Sequence, residues 1–217
     1  SPATLSKTSI AVDRSGKRHM TYIECAAGHG TGACKLQYAT DSSGSWVVVT
    51  IATGTNLLST KTPSNSLAVD ANGKCHVAYY IDSNTDDMRY ATDKSGAWVT
   101  SVLDAGPGVG EHATLALDSS GFAHVAYLNA RSGGLKYANE PTATGVTSWS
   151  PVTVDLLGSK DNGLVLDANG KAHIMYLANP GEPGASAYMK YATNAGGAWV
   201  MSDLKDYHPT AEISMAI

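Results

Sequence analysis

Apolar and polar positions along this chain alternate with a period of two or gather into short runs, and no stretch carries the i, i+3, i+4 spacing of a packed helix. One region shows the pattern plainly. Ser66-Leu-Ala-Val69, His76-Val-Ala-Tyr-Tyr80, Met88-Arg-Tyr-Ala-Thr92 and Trp98-Val-Thr-Ser-Val102 are rich in β-branched and aromatic residues and are separated by turn-forming segments. This predicts four strands, A to D, joined in sequence. The A–B connection, Asp70-Ala-Asn-Gly73, holds Asn and Gly, which tolerate positive φ and so suit a tight hairpin.

The same frame occurs four times. Its Asp recurs at 13, 70, 118 and 167, its Gly at 16, 73, 121 and 170, its His at 19, 76, 124 and 173, and a Tyr at 22, 79, 127 and 176. The second half repeats as Tyr38, Tyr90, Tyr137 and Tyr191, followed by Trp46, Trp98, Trp149 and Trp199. The intervals are 47 to 57 residues, and a four-stranded unit of that period must stack on neighbours to bury both faces. The prediction is an all-β fold, a β-propeller of four-stranded antiparallel blades at about 8–54, 65–108, 113–158 and 162–206 within a single domain over 1–217. Strands A and B carry small or apolar groups, as expected of strands sandwiched between blades, and strand D is more mixed and is placed at the rim. Residues 211–217 match strand A once more. They either begin a further blade, close the ring, or pair with another copy.

Thr40-Asp-Ser-Ser-Gly-Ser-Trp46, Thr92-Asp-Lys-Ser-Gly-Ala-Trp98 and Thr193-Asn-Ala-Gly-Gly-Ala-Trp199 resemble the Asp-box turn of sialidase-like repeat propellers. This sequence has one more residue between Asp and Gly than the usual box, Asn194 in place of Asp in the fourth repeat, and Asn139-Glu-Pro-Thr-Ala-Thr-Gly-Val-Thr-Ser-Trp149 in the third. In that family the box is a folding element remote from the active site, so the resemblance implies architecture and not hydrolysis. A sialidase-type site would further require three arginines around the substrate carboxylate, a Tyr–Glu pair and an acidic residue. The chain has four arginines, and Arg14 and Arg18 share one turn.

Composition narrows the partners. A formal charge of −4 with 16% charged residues gives no electrostatic case for nucleic acid, no apolar stretch approaches the roughly 20 residues of a membrane-spanning helix, and no motif demands a cofactor or a metal. Asp82-Ser-Asn-Thr-Asp86-Asp87 offers oxygen ligands but lacks the Gly and terminal Glu of a calcium-binding loop. Cys25 and Cys34 bracket a Gly-rich loop of a length that closes into a disulfide, which would place the protein outside the reducing cytosol, extracellular or periplasmic. Cys75 stands alone on a strand.

Chemistry is expected on one face. In an up-and-down blade the short A–B and C–D turns share one end, and the longer B–C loops and D–A connections share the other. The variable end carries His29, Glu111, His112, Arg131, Tyr207 and His208, the candidate ligand-binding residues. The repeated Asp13–His19, Asp70–His76, Asp118–His124 and Asp167–His173 pairs flank tight hairpins, and a hydrogen bond within each pair is expected as a structural device. A reaction centre is needed once, not four times. The repeated Tyr and Trp residues are expected to pack between blades, with stacking on sugars as the alternative. The functional expectation is an exported module that binds a glycan or protein through its long-loop face. The alternatives are a carbohydrate-active enzyme, polysaccharide lyase or glycoside hydrolase, and a structural propeller that self-associates through its terminal strand.

Overall fold

A computed structural model describes residues 4–25, 34–54, 64–81, 87–132, 134–141, 148–178 and 187–204, together with Ile213 and Met215. Among the described residues sixteen strands form four antiparallel sheets, each meandering in chain order. The first blade is β1 (Thr4–Val12), β2 (Arg18–Cys25), β3 (Cys34–Thr40) and β4 (Val47–Gly54). The second is β5 (Asn65–Val69), β6 (Cys75–Ile81), β7 (Asp87–Thr92) and β8 (Val99–Asp104). The third is β9 (Val109–Leu117), β10 (Ala123–Asn129), β11 (Gly134–Asn139) and β12 (Val152–Asp155), and the fourth β13 (Gly158–Leu166), β14 (Ala172–Ala178), β15 (Tyr188–Thr193) and β16 (Val200–Leu204). Among the described residues no helix is long and apolar enough to cross a membrane.

Local chemistry dictates each hairpin. Asp13 Oδ1 accepts from the backbone N–H of Ser15 (2.8 Å) and of Lys17 (2.9 Å), and Gly16 supplies the left-handed residue at φ 82°. Asp70, Asp118 and Asp167 repeat the pattern with their own turns. The second half of each blade is tied to strand B in a comparable way. Asp41, Asp93 and Asn194 each accept through Oδ1 from the backbone N–H of Arg18, Cys75 and Ala172. In the third blade Glu140 does the same to Ala123 at 3.0 Å, so the turn that departs in sequence keeps its anchor with a longer carboxylate.

The inner strands β1, β5, β9 and β13 stand side by side in chain order, and β4 and β16 are largely exposed at the rim. The core is accordingly three layers, one between each pair of successive blades. Tyr79, Tyr127 and Tyr176 are fully buried in these layers, each a burial worth about 1.5–3 kcal/mol. Tyr38, Tyr90 and Tyr137 meet Trp98, Trp149 and Trp199 of the following blade edge-on, with ring centroids 5.0 Å apart. Stacked four-stranded blades of this kind make a β-propeller.

Candidate functional site

His19, His76 and His124 are buried in the layers between blades, away from the long loops, and His173 is half-buried on the fourth blade. Each Nδ1 is hydrogen-bonded to the tyrosine hydroxyl of its own blade, His19 to Tyr38 and His76 to Tyr90 at 2.6 Å, His124 to Tyr137 at 2.5 Å, and His173 to Tyr191. The Asp carboxylates stand 3.6 to 4.0 Å from Nε2, too far for the hydrogen bond expected from sequence. The hairpin explains this difference. Each Asp uses Oδ1 to hold its own turn, which leaves Oδ2 short of the ring. Burial, with Lys94 adding to it, lowers the pKa of His76 from the ordinary 6.5 to about 4, so its ring is neutral at physiological pH.

At the opposite end of the inner strands, where the D–A connections enter, a small polar cavity of about 130 Å³ opens. It is built by repetition. Lys7, Ser64, His112 and Asp161 each lie six residues before the hairpin Asp of their blade, and Thr8, Asn65, Ala113 and Asn162 lie one residue further on. Asn65 Nδ2 donates to the Lys7 carbonyl at 2.7 Å and Asn162 Nδ2 to the His112 carbonyl at 2.5 Å. Thr114 Oγ1 donates to the Asn162 carbonyl at 3.0 Å. These bonds cross from one inner strand to another, so they fix the mouth from several blades at once.

His112 is the most constrained residue there. Its backbone is left-handed at φ 52°, as is that of Lys7 at 45°, a conformation that costs a non-glycine residue about 1–3 kcal/mol. Its Nδ1 lies 3.1 Å from Asp161 Oδ1. An ionised carboxylate only accepts, so Nδ1 carries the proton, and Nε2 is an acceptor in the neutral ring and a donor in the charged one. Asn162 Oδ1 is buried and has no hydrogen-bond partner among the described residues.

Among the other residues proposed from sequence, Glu111 is half-buried in β9 and Arg131 is exposed in the β10–β11 turn, and neither lines this cavity. His29, Tyr207 and His208, like Asp82 and Asp86, lie outside the described residues. Sequence reasoning passed over Lys7, Ser64, Asn65, Thr114 and Asn162. Their shared offset from the hairpin Asp was the available signal. At the A–B end a larger cavity of about 340 Å³ is lined by Asp13, Asp70 and Asp118, whose Oδ1 atoms are committed to their turns. Among the described residues no group of side chains is arranged to hold a metal ion.

Fold and mouth together define a β-propeller with a polar axial opening on its long-loop end. No protein-family profile and no curated protein matches the chain. Solved structures do. The chain is similar to the lectin of Aleuria aurantia, solved with Fucα1-6GlcNAc (14% identity, TM-score 0.57, 92% of this chain and 61% of that one). It is also similar to a protein of unknown function from Dyadobacter fermentans (11% identity, TM-score 0.60, 95% and 71%) and to a glycosyl hydrolase from Bacteroides ovatus (11%, 0.50, 88% and 67%). The chain thus spans 61% of the lectin's length.

Proposed function

We propose that the protein is a glycan-binding β-propeller that receives the edge of a sugar residue in the axial mouth around His112, Asp161 and Asn162. The observation that carries this reading is Asn162 Oδ1, a buried acceptor with no partner among the described residues, at a mouth whose backbone is strained at His112. A buried acceptor left unpaired costs about 1–3 kcal/mol, and a sugar hydroxyl is a donor that relieves it. The lining is hydroxyl, amide, imidazole, carboxylate and ammonium, with Ala113 the only apolar side chain, which suits a polyhydroxylated ligand better than an apolar one. About 130 Å³ is below the roughly 300–1,000 Å³ of pockets that engulf a drug-sized molecule, so the rest of the glycan lies along the loops. Two of the structural relatives, a lectin solved with a fucosylated disaccharide and a glycosyl hydrolase, agree with a carbohydrate ligand.

The test is a panel of immobilised neutral, fucosylated and uronate oligosaccharides, followed by calorimetric titration of any that bind. Asn162→Leu and His112→Ala are expected to weaken binding at least about tenfold, or about 1.4 kcal/mol. No binding across the panel, or affinity unchanged in both variants, sinks the proposal. The His112–Asp161 pair also favours a second reading, a carbohydrate-active enzyme in which His112, oriented by Asp161, moves a proton. Under that reading His112→Ala abolishes turnover of a bound oligosaccharide while its affinity stays nearly unchanged.

Export belongs to the same proposal. Cys25 and Cys34 are cross-strand partners in the β2–β3 register, which brings them together for a disulfide in an oxidising compartment. Intact mass with and without reductant tests the bridge.

A further inference from the structure

Two of the junctions between blades are closed by the same kind of side-chain cluster. Tyr127 and Lys136 are opposite one another on β10 and β11, and their hydroxyl and ammonium both donate to Asp104 at the end of β8 in the preceding blade. Tyr176 and Lys190 are opposite one another on β14 and β15, and both donate to Asp155 at the end of β12. Register sets the place of the carboxylate. Asp104 stands opposite Met88, and Asp155 stands opposite Leu135.

The junction between the first and second blades keeps the donors but has no acid at that place. Tyr79 and Arg89 are opposite one another on β6 and β7, as in the other two pairs. The residue opposite Leu36, where the acid belongs, is Ala52. The Tyr79 hydroxyl is taken up within its own blade by Thr100 and Arg89. Arg89 Nη2 donates to Asp87 at 3.2 Å, and Arg89 Nε is buried with no hydrogen-bond partner among the described residues. A guanidinium presents its donors as a planar fork that matches a carboxylate, and a buried donor left unpaired is destabilising.

We propose that this junction binds a carboxylate supplied by a ligand, held by Arg89 beside Ala52, and that a uronate sugar is the ligand. The molecule itself shows which chemical group fits. Asp and Ala differ by one carboxyl group, and that group fills the equivalent place in both other junctions. The Arg89 side chain is 32% exposed and Ala52 is half-buried, so the place can be reached from solvent. Asp87 does not exclude a second carboxylate, because the Lys190 ammonium already carries two, Asp155 and Asp203 at 3.8 Å. Arg in place of Lys suits the task. An ammonium is a point charge, whereas a guanidinium can hold Asp87 with one nitrogen and offer others to a ligand. The carboxylate follows from the junction alone. The sugar that carries it rests on the glycan-binding reading above, since β4 leaves and β7 enters at the end that bears the long loops and the axial mouth.

Thermal midpoints in D-glucuronate and D-galacturonate, against glucose and acetate at equal ionic strength, test this. A ligand that binds the folded chain raises its midpoint. At least one uronate is expected to do so with the unaltered chain, and glucose and acetate are not. Arg89→Gln and Ala52→Asp should each weaken that uronate at least about tenfold, the first by removing the fork and the second by filling the place from within. Without ligand, Ala52→Asp should itself raise the midpoint by about 2 °C or more, which separates a filled site from a damaged fold. Asn162→Leu, which alters the axial mouth, should leave the uronate response intact. No response to either uronate, an unchanged response in Arg89→Gln and Ala52→Asp, or a lower midpoint in Ala52→Asp would each overturn the proposal. An acetate response equal to that of the uronates would overturn the sugar as carrier. A uronate response lost in Asn162→Leu but kept in Arg89→Gln would assign the uronate to the axial mouth, overturning this site while the glycan-binding reading stands.

Discussion

Nδ1 of His76 and the hydroxyl of Tyr90 meet at 2.6 Å inside the second blade, with both side chains buried. On its other side the ring faces Asp70, at 4.0 Å from Nε2. The neutral ring fits this niche, and a second proton would have to be carried without solvent. That geometry, together with the pKa of about 4 that burial and Lys94 impose, makes stability depend on pH.

The unfolded chain protonates His76 near its ordinary 6.5 and the folded chain resists until about 4. Between those values the unfolded state binds more protons, so stability is fully present above about pH 6.5 and is lost as pH falls toward 4. Burial lowers His124 in the same direction. The effect from His76 alone is about 3 kcal/mol at its full extent. Urea midpoints measured from about pH 7.5 to pH 4.5 should fall, and the fall should shrink in His76→Gln.

Removing the phenol from one His–Tyr pair isolates the hydrogen bond. Tyr137→Phe keeps the ring that meets Trp199 edge-on but leaves Nδ1 of His124 without the hydroxyl at 2.5 Å. A buried nitrogen left unpaired costs about 1–3 kcal/mol. Chemical denaturation should show a lower midpoint at unchanged slope.

Asp155 is shared between blades. It accepts from the Tyr176 hydroxyl at 2.5 Å and from the Lys190 ammonium, and Asp104 holds Tyr127 and Lys136 in the same manner one layer earlier. Burial pushes the Asp155 carboxyl up, and the bonds from Lys190 and Tyr176 more than offset it, so it titrates below the ordinary carboxylate range. Asp155→Ala leaves a buried ammonium whose one remaining carboxylate among the described residues is Asp203 at 3.8 Å. The expected loss is about 3–5 kcal/mol, read as a lower thermal midpoint, and Lys190→Met in the same chain should restore part of it.

The architecture was legible because its signals are local and repeated. Period-two alternation marked the strands, and Asp with Gly at fixed offsets marked the A–B hairpins, where Gly16, Gly73, Gly121 and Gly170 all adopt positive φ. What depended on three-dimensional distance was not legible. Asp and His flank the same hairpin, which suggested that they bond, but Oδ1 is occupied by the turn and the ring reaches a tyrosine 13 to 19 residues away on strand C. Glu140 anchors the third blade although its turn does not match the others. His112 was among the candidates, but the axial mouth as a whole was not legible, because Lys7, Ser64, His112 and Asp161 differ chemically and only their common place in the repeat unites them.

Cys75 offers a probe of the first interblade layer. Its thiol is buried, in contact with His19 Nδ1 at 3.3 Å and the Tyr38 hydroxyl at 3.4 Å, and burial pushes its pKa up to about 12. The thiolate is the nucleophile, so alkylation by iodoacetamide at about pH 8 should be negligible in the folded protein and rapid in denaturant. Labelling at a rate close to that of a free thiol would mean that the first two blades separate easily.

Gly158 and Gly44 separate steric cost from backbone cost. A Cβ on Gly158 would lie 2.6 Å from the backbone N of Leu135 and 3.0 Å from its Cα, and backbone cannot yield as a flexible side chain does. Gly158→Ala must therefore push β13 away from β11, at a cost of about 1–3 kcal/mol or more. Gly44 is at φ 88° with nothing within 4 Å of its Cβ position, so Gly44→Ala costs only the left-handed conformation, about 1–2 kcal/mol. The two should also differ in function. β13 runs on from Gly158 to Asp161 and Asn162 at the mouth, so the first change should weaken glycan binding at temperatures where the protein is still folded. Gly44, at the opposite end of the blade, should leave binding untouched. Equal binding by the two variants would show that the mouth is insulated from the seat of β13.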